Sequence, residues 1–67
     1  MIDPLAKAAE CERAIKACTD REDLQALTSL RALWLTIENQ RAEGLPDWKA
    51  QAARIEKLHL DVLGLSK

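Results

Sequence analysis

The sequence predicts an all-α protein of three helices, either a three-helix bundle or a helical hairpin followed by a third helix. The two prolines and two glycines of the 67-residue chain stand only where helices could begin and end, at Pro4, Pro46, Gly44 and Gly64. The segments between them are rich in strong helix formers, with apolar residues three and four positions apart. A chain this short holds one domain, which we assign to residues 1–67.

The first helix is predicted over about residues 4–18, with Asp3 as its N-cap and Pro4 at its first position. At about 100° per residue, one face gathers mostly small apolar side chains, namely Leu5, Ala8, Cys11, Ile15 and Cys18. A very short junction follows, in which Thr19 with Glu22 matches a capping box, although Asp20 could cap the next helix instead. The short junction predicts an antiparallel hairpin.

The second helix is predicted over about residues 21–43, and Gly44 supplies the left-handed position that ends it. Its apolar side chains span roughly 200° of the helical wheel, whereas an ordinary one-sided helix shows an arc somewhat above 100°. They are Leu24, Leu27, Leu30, Leu33, Trp34, Leu35 and Ile37. One neighbouring helix cannot cover such an arc, but two could.

The third helix is predicted over about residues 46–63, with Pro46 in its first turn and Gly64 as its stop. Apart from Leu60, its large apolar side chains fall with His59 within roughly 140° of the wheel. The residues of this face are Trp48, Ala52, Ile55, Leu58, His59, Val62 and Leu63. The middle helix is therefore expected to touch both of the others.

The size of the chain favours association, because a domain this small buries only about 60% of its unfolded surface. We expect a self-associating protein–protein interaction module, a dimer without intrinsic catalysis. The alternatives are a regulator or inhibitor that binds a larger protein, and a DNA-binding three-helix domain. The expected core and interface residues are Leu27, Leu30, Leu33, Trp34, Ile37, Trp48, Ile55, Leu58, His59 and Val62.

Composition argues against several other classes of partner. The 10 Lys and Arg nearly balance the 11 Asp and Glu, so the basic footprint of a nucleic-acid-binding protein is missing. The longest apolar run is four residues, from Ala32 to Leu35, far below the ~20 that span a bilayer. The first ten residues lack the pattern of a signal peptide. We therefore expect a cytoplasmic protein with no membrane, no small-molecule substrate, no metal and no cofactor.

Five residues admit both a functional and a structural interpretation. Cys11 and Cys18 are seven residues apart on one face, roughly 10 Å along the helix, too far for a disulfide within it. They are interpreted as small core residues, with a redox or intersubunit disulfide role as the alternative. His59 is either a packed histidine or a proton-transfer or pH-sensing residue. Arg31 and Glu38 are either rim charges or an ion pair across an antiparallel dimer.

One segment resembles a known group of proteins. Residues 8–40 carry Glu10-Cys11, then Arg13, a Thr19-Asp20 turn and a Leu-rich helix with a Trp, from Leu30 to Trp34. This pattern resembles short uncharacterised helical proteins of alphaproteobacteria. Arg21 stands where a Pro would often follow the Asp, and the third helix has no counterpart in the pattern. The resemblance implies a bacterial helical hairpin and assigns no activity.

Overall fold

A computed structural model describes residues 2–64, and those residues form three α-helices and no strand. Helix α1 covers Pro4–Ala17, α2 covers Arg21–Ala42 and α3 covers Trp48–Val62. Helix α2 packs against both α1 and α3. The predicted all-α class and the central position of the middle helix are therefore confirmed. Within residues 2–64, no helix is both long enough and apolar enough to cross a bilayer.

Aspartate side chains begin the first two helices. Asp3 accepts hydrogen bonds from the backbone N–H groups of Leu5 and Ala6, at 3.1 and 3.4 Å, and Pro4 follows it as predicted. Asp20 accepts from Glu22 and Asp23, at 2.8 and 3.4 Å. Of the two caps that the sequence left open for α2, the structure therefore uses Asp20, because the carboxylate satisfies two otherwise unpaired N–H groups.

The third helix begins later than predicted. Its first residue is Trp48, and Pro46 and Asp47 form a turn before it. The backbone carbonyl of Asp47 accepts from the N–H of Gln51 at 3.2 Å, while the Asp47 side chain makes no capping hydrogen bond. The other helix ends lie within a residue of their predicted places. Gly44 adopts the predicted left-handed conformation, with φ of 77°.

The core lies where all three helices meet. Its buried members are Ala8, Cys11, Leu30, Trp34, Ile37 and Ala52. The face of α1 is turned slightly from the predicted one, because Pro4 is buried while Leu5 is 52% exposed. The prediction that Leu5 belongs to the buried face of the first helix was therefore wrong.

The two neighbours of α2 cover the middle of its apolar arc and leave its edges open. Leu27, Leu30, Trp34 and Ile37 are buried, whereas Leu24 and Leu33 are 39% and 40% exposed. Leu24 and Leu33 lie about 180° apart on the wheel, because nine residues separate them. The excess apolar surface of α2 is thus divided between two opposite edges.

Candidate functional site

Among residues 2–64, His59 is the one charged or polar residue that is buried. It lies on the inner face of α3 and has no exposed surface. The indole N–H of Trp34 donates a hydrogen bond to Nδ1 of His59 at 3.1 Å. The two rings meet edge to face, with centroids 5.7 Å apart and an interplanar angle of 78°. A buried ring nitrogen is thereby satisfied by the largest side chain of the core.

The hydrogen bonds define the protonation state of the imidazole ring. Indole nitrogen is a donor only, so Nδ1 of His59 must be the unprotonated nitrogen. The proton of the neutral ring then lies on Nε2, which donates to the Glu10 carboxylate at 2.8 Å. Glu10 belongs to α1, Trp34 to α2 and His59 to α3. This cluster, with Cys11 beside it, is called the His59 node, and it joins all three helices.

Cys11 completes the His59 node, with its Sγ 3.8 Å from Nδ1 of His59. A thiol, an imidazole and a carboxylate are the groups of a cysteine nucleophile with its base. Here, however, Cys11 is fully buried, and Nδ1 already accepts from Trp34. Burial and then the nearby Glu10 carboxylate raise the pKa of the Cys11 thiol, which is the reverse of thiolate activation. The node therefore joins helices rather than activating a nucleophile.

The sequence pattern identified His59 and Trp34 as packing residues but missed Glu10 as their partner. Helical spacing relates residues of one helix only, whereas Glu10 and His59 are 49 residues apart on different helices. One signal was available: a histidine on an apolar stripe needs partners for both ring nitrogens. Glu10 directly precedes Cys11 on the inner face of α1, which makes it a candidate for that role.

Charged residues show how the helices are turned towards one another. On α1, Glu10 bonds to His59 of α3, whereas Glu12 pairs with Arg31 of α2 at 2.6 Å. Glu38 pairs with Arg41 in its own helix at 2.8 Å. Arg31 and Glu38, considered above as partners across a dimer, thus both have partners within the chain.

On the helical wheels, Leu33 and Leu58 fall on the sides of α2 and α3 that face away from α1. Arg31 marks the edge of α2 that faces α1, and Leu33 lies about 160° from it across the buried face. On α3, Glu56 marks the edge near α1, because it approaches Lys7 at 3.7 Å. Leu58 lies about 160° from Glu56. Leu33 is 40% and Leu58 43% exposed, and together they are called the leucine flank.

The remaining predicted core and interface residues divide into two groups. Leu27, Leu30, Trp34, Ile37 and His59 are buried. Trp48, Ile55 and Val62 are half-buried and pack against the core. The leucine flank therefore contributes the two exposed members of the predicted set.

A shallow cavity of about 240 Å³ opens near the start of α3, between Ile2 and Trp48. The Lys49 ammonium lies 6.0 Å from the centre of the Trp48 ring. Ligand pockets usually measure about 300–1,000 Å³ and enclose most of their ligand, so this cavity gives no argument for a small-molecule substrate. Residues 2–64 also contain no group of three or more His, Cys, Asp or Glu side chains that could hold a metal ion.

Comparison with known proteins finds no relative of this chain. No protein-family model, curated protein or solved structure matches the chain. The resemblance of residues 8–40 to short alphaproteobacterial proteins therefore stays a prediction.

The two thiols are expected to differ sharply in reactivity. Cys18 is half-buried near the surface, and its Sγ donates to the Asp20 carbonyl at 3.2 Å. Iodoacetamide at about pH 8 should alkylate Cys18 readily, whereas Cys11 should react only as fast as the bundle opens. Mass spectrometry of digested, time-sampled protein measures both rates. Equal rates in the folded protein would contradict the packing of Cys11 described above.

The same burial predicts a loss of stability at alkaline pH. The pKa of the Cys11 thiol is raised in the folded state, so folding favours the protonated thiol. Its contribution to stability is fully present below the unfolded value of about 8.5 and is lost as pH rises through the higher folded value. Cys11→Ala should remove this part of the alkaline decrease in the free energy of unfolding, while Cys18→Ala should leave it in place.

Proposed function

We propose that the protein is a small helical interaction module without intrinsic catalysis, which self-associates through the leucine flank. The observation that supports this proposal is the exposure of Leu33 and Leu58, at 40% and 43%, on the sides of α2 and α3 that face away from α1. Ile55 and Val62 lie beside Leu58 on the wheel of α3 and are only half-buried. Each of these two helices therefore exposes a leucine next to partly buried apolar side chains.

Two properties of the chain favour a second copy as the partner. Burial of apolar surface contributes about 25 cal/mol per Å², and a domain of this size has little core of its own to spare. The net charge of −1 also means that two copies repel each other weakly.

Both free thiols are consistent with a reducing compartment, and we assign the protein to the cytoplasm on that ground.

Replacement of both flank leucines by glutamate is expected to abolish self-association without unfolding the bundle. The double variant Leu33→Glu/Leu58→Glu places charges on a surface that association would bury without partners. Sedimentation velocity from low to high micromolar concentration measures the mass of each protein. We expect a concentration-dependent dimer for the unchanged protein and a monomer for the variant.

Leu24→Glu is the matched control. Leu24 is 39% exposed and belongs to the same helix, but it lies on the opposite edge of the arc from Leu33. The control should therefore still associate. A strict monomer of the unchanged protein at high micromolar concentration would overturn self-association, and dissociation by Leu24→Glu alone would place the contact on the other edge.

A further inference from the structure

We propose that the His59 node is an acid-sensitive latch, which holds α3 against α1 and α2 only while the imidazole is neutral. The proposal concerns the fold of one chain and does not depend on self-association. It follows from the places of the two ring nitrogens, both of which are already engaged in the packed bundle.

A second proton on the ring has to go to Nδ1, because Nε2 already carries one. Nδ1 faces the indole N–H of Trp34 at 3.1 Å and the Cys11 Sγ at 3.8 Å. Indole nitrogen cannot accept a hydrogen bond, and a protonated thiol is a weak acceptor. Protonation of Nδ1 would therefore break the hydrogen bond from Trp34, because the indole N–H and the new Nδ1–H would point at each other. Both N–H groups are buried, and neither would have a good acceptor.

The charged side chains of α1 and α3 near His59 are of both signs, and their effects on a positive ring partly cancel. Glu10 would stabilise a positive ring, but its side chain is 39% exposed, and the same oxygen lies 3.9 Å from the Lys7 ammonium. Lys7 also approaches Glu56 of α3 at 3.7 Å. Water and Lys7 therefore weaken the attraction that Glu10 would exert on a protonated ring.

Helix α2 presents Trp34 to the ring, and its charged side chains on either side of Trp34 have other partners. Arg31 pairs with Glu12 and Glu38 pairs with Arg41. The Glu38 carboxylate is thus paired with Arg41 and not with Nδ1 of His59. Release of α3 would uncover the inner face of α2, including Leu30, Trp34 and Ile37.

Nuclear magnetic resonance of the ¹⁵N-labelled protein tests the latch directly. At about pH 7.5, the shifts of His59 should show an unprotonated Nδ1 and a protonated Nε2, with the indole N–H of Trp34 protected from exchange. As the sample is acidified, protection of that N–H should disappear in step with double protonation of the ring. Persistence of the protected Trp34 N–H beside a doubly protonated ring would overturn the proposal.

Two variants separate His59 from Glu10 as the titrating group. His59→Asn offers an oxygen near the position of Nδ1 but takes up no proton, so the acid transition should move to lower pH. Glu10→Gln keeps the imidazole and should retain the transition. Trp34 fluorescence in a Trp48→Phe background follows each variant. An unchanged transition in His59→Asn, or its loss in Glu10→Gln, would contradict the latch. If His59→Asn does not fold, the resonance experiment on the unchanged protein decides.

Discussion

Trp34→Ala is expected to remove a large part of the free energy of unfolding of the chain. Trp34 has no exposed surface and contacts the core of all three helices. Truncation of a buried tryptophan to alanine typically costs about 3–5 kcal/mol. A domain of 67 residues has roughly 3–10 kcal/mol of stability in total, at 0.05–0.15 kcal/mol per residue. The loss should appear in urea titration, followed by far-ultraviolet circular dichroism, as a transition midpoint at a much lower urea concentration.

A second substitution separates the volume of Trp34 from its hydrogen bond. Trp34→Phe keeps an aromatic ring in the core but removes the N–H that His59 accepts, so a smaller loss of about 1–3 kcal/mol is expected. Trp48→Ala is the control, because Trp48 is only half-buried at the start of α3. If Trp48→Ala destabilised the protein as much as Trp34→Ala, the assignment of Trp34 as the centre of the core would be wrong.

Local signals in the sequence were enough to predict the helices. Asp3 with Pro4 begins α1, and Gly44 ends α2, because each residue acts through the backbone of its own turn. The start of α3 was placed two residues too early for a similar reason. Pro46 is compatible both with a first helical turn and with the turn that precedes a helix, and the structure adopts the second.

Contacts between helices could not be read from the pattern. The wheel of α1 puts Leu5 and Cys11 on one broad face, yet Leu5 is 52% exposed and Cys11 is fully buried. The difference depends on the angle at which α2 approaches α1, and no residue of α1 alone determines that angle. Glu10 was missed for the same reason, since its partner His59 belongs to a helix that follows after the whole of α2.

Leu30→Glu is expected to unfold the protein, and it tests how the apolar arc of α2 is divided. Leu30 is 1% exposed. Removal of a buried leucine costs about 2–5 kcal/mol, and an unpaired carboxylate in its place adds several kcal/mol more. Thermal unfolding followed by circular dichroism should therefore show no cooperative transition above about 20 °C, because the sum exceeds the stability of so small a domain.

Leu33→Glu is the matched control, on the same helix and only about 60° from Leu30 on the wheel. Leu33 is 40% exposed, so its change should alter the free energy of unfolding of the monomer by no more than about 0.5–1 kcal/mol. Both leucines looked alike in the sequence, because each belongs to the same wide arc. If both variants unfold, Leu33 belongs to the core and the leucine flank is not available to a partner. If only Leu30→Glu unfolds, the apolar arc of α2 has two roles. Side chains at its middle, such as Leu30, form the core, and Leu33 at its edge remains free for association.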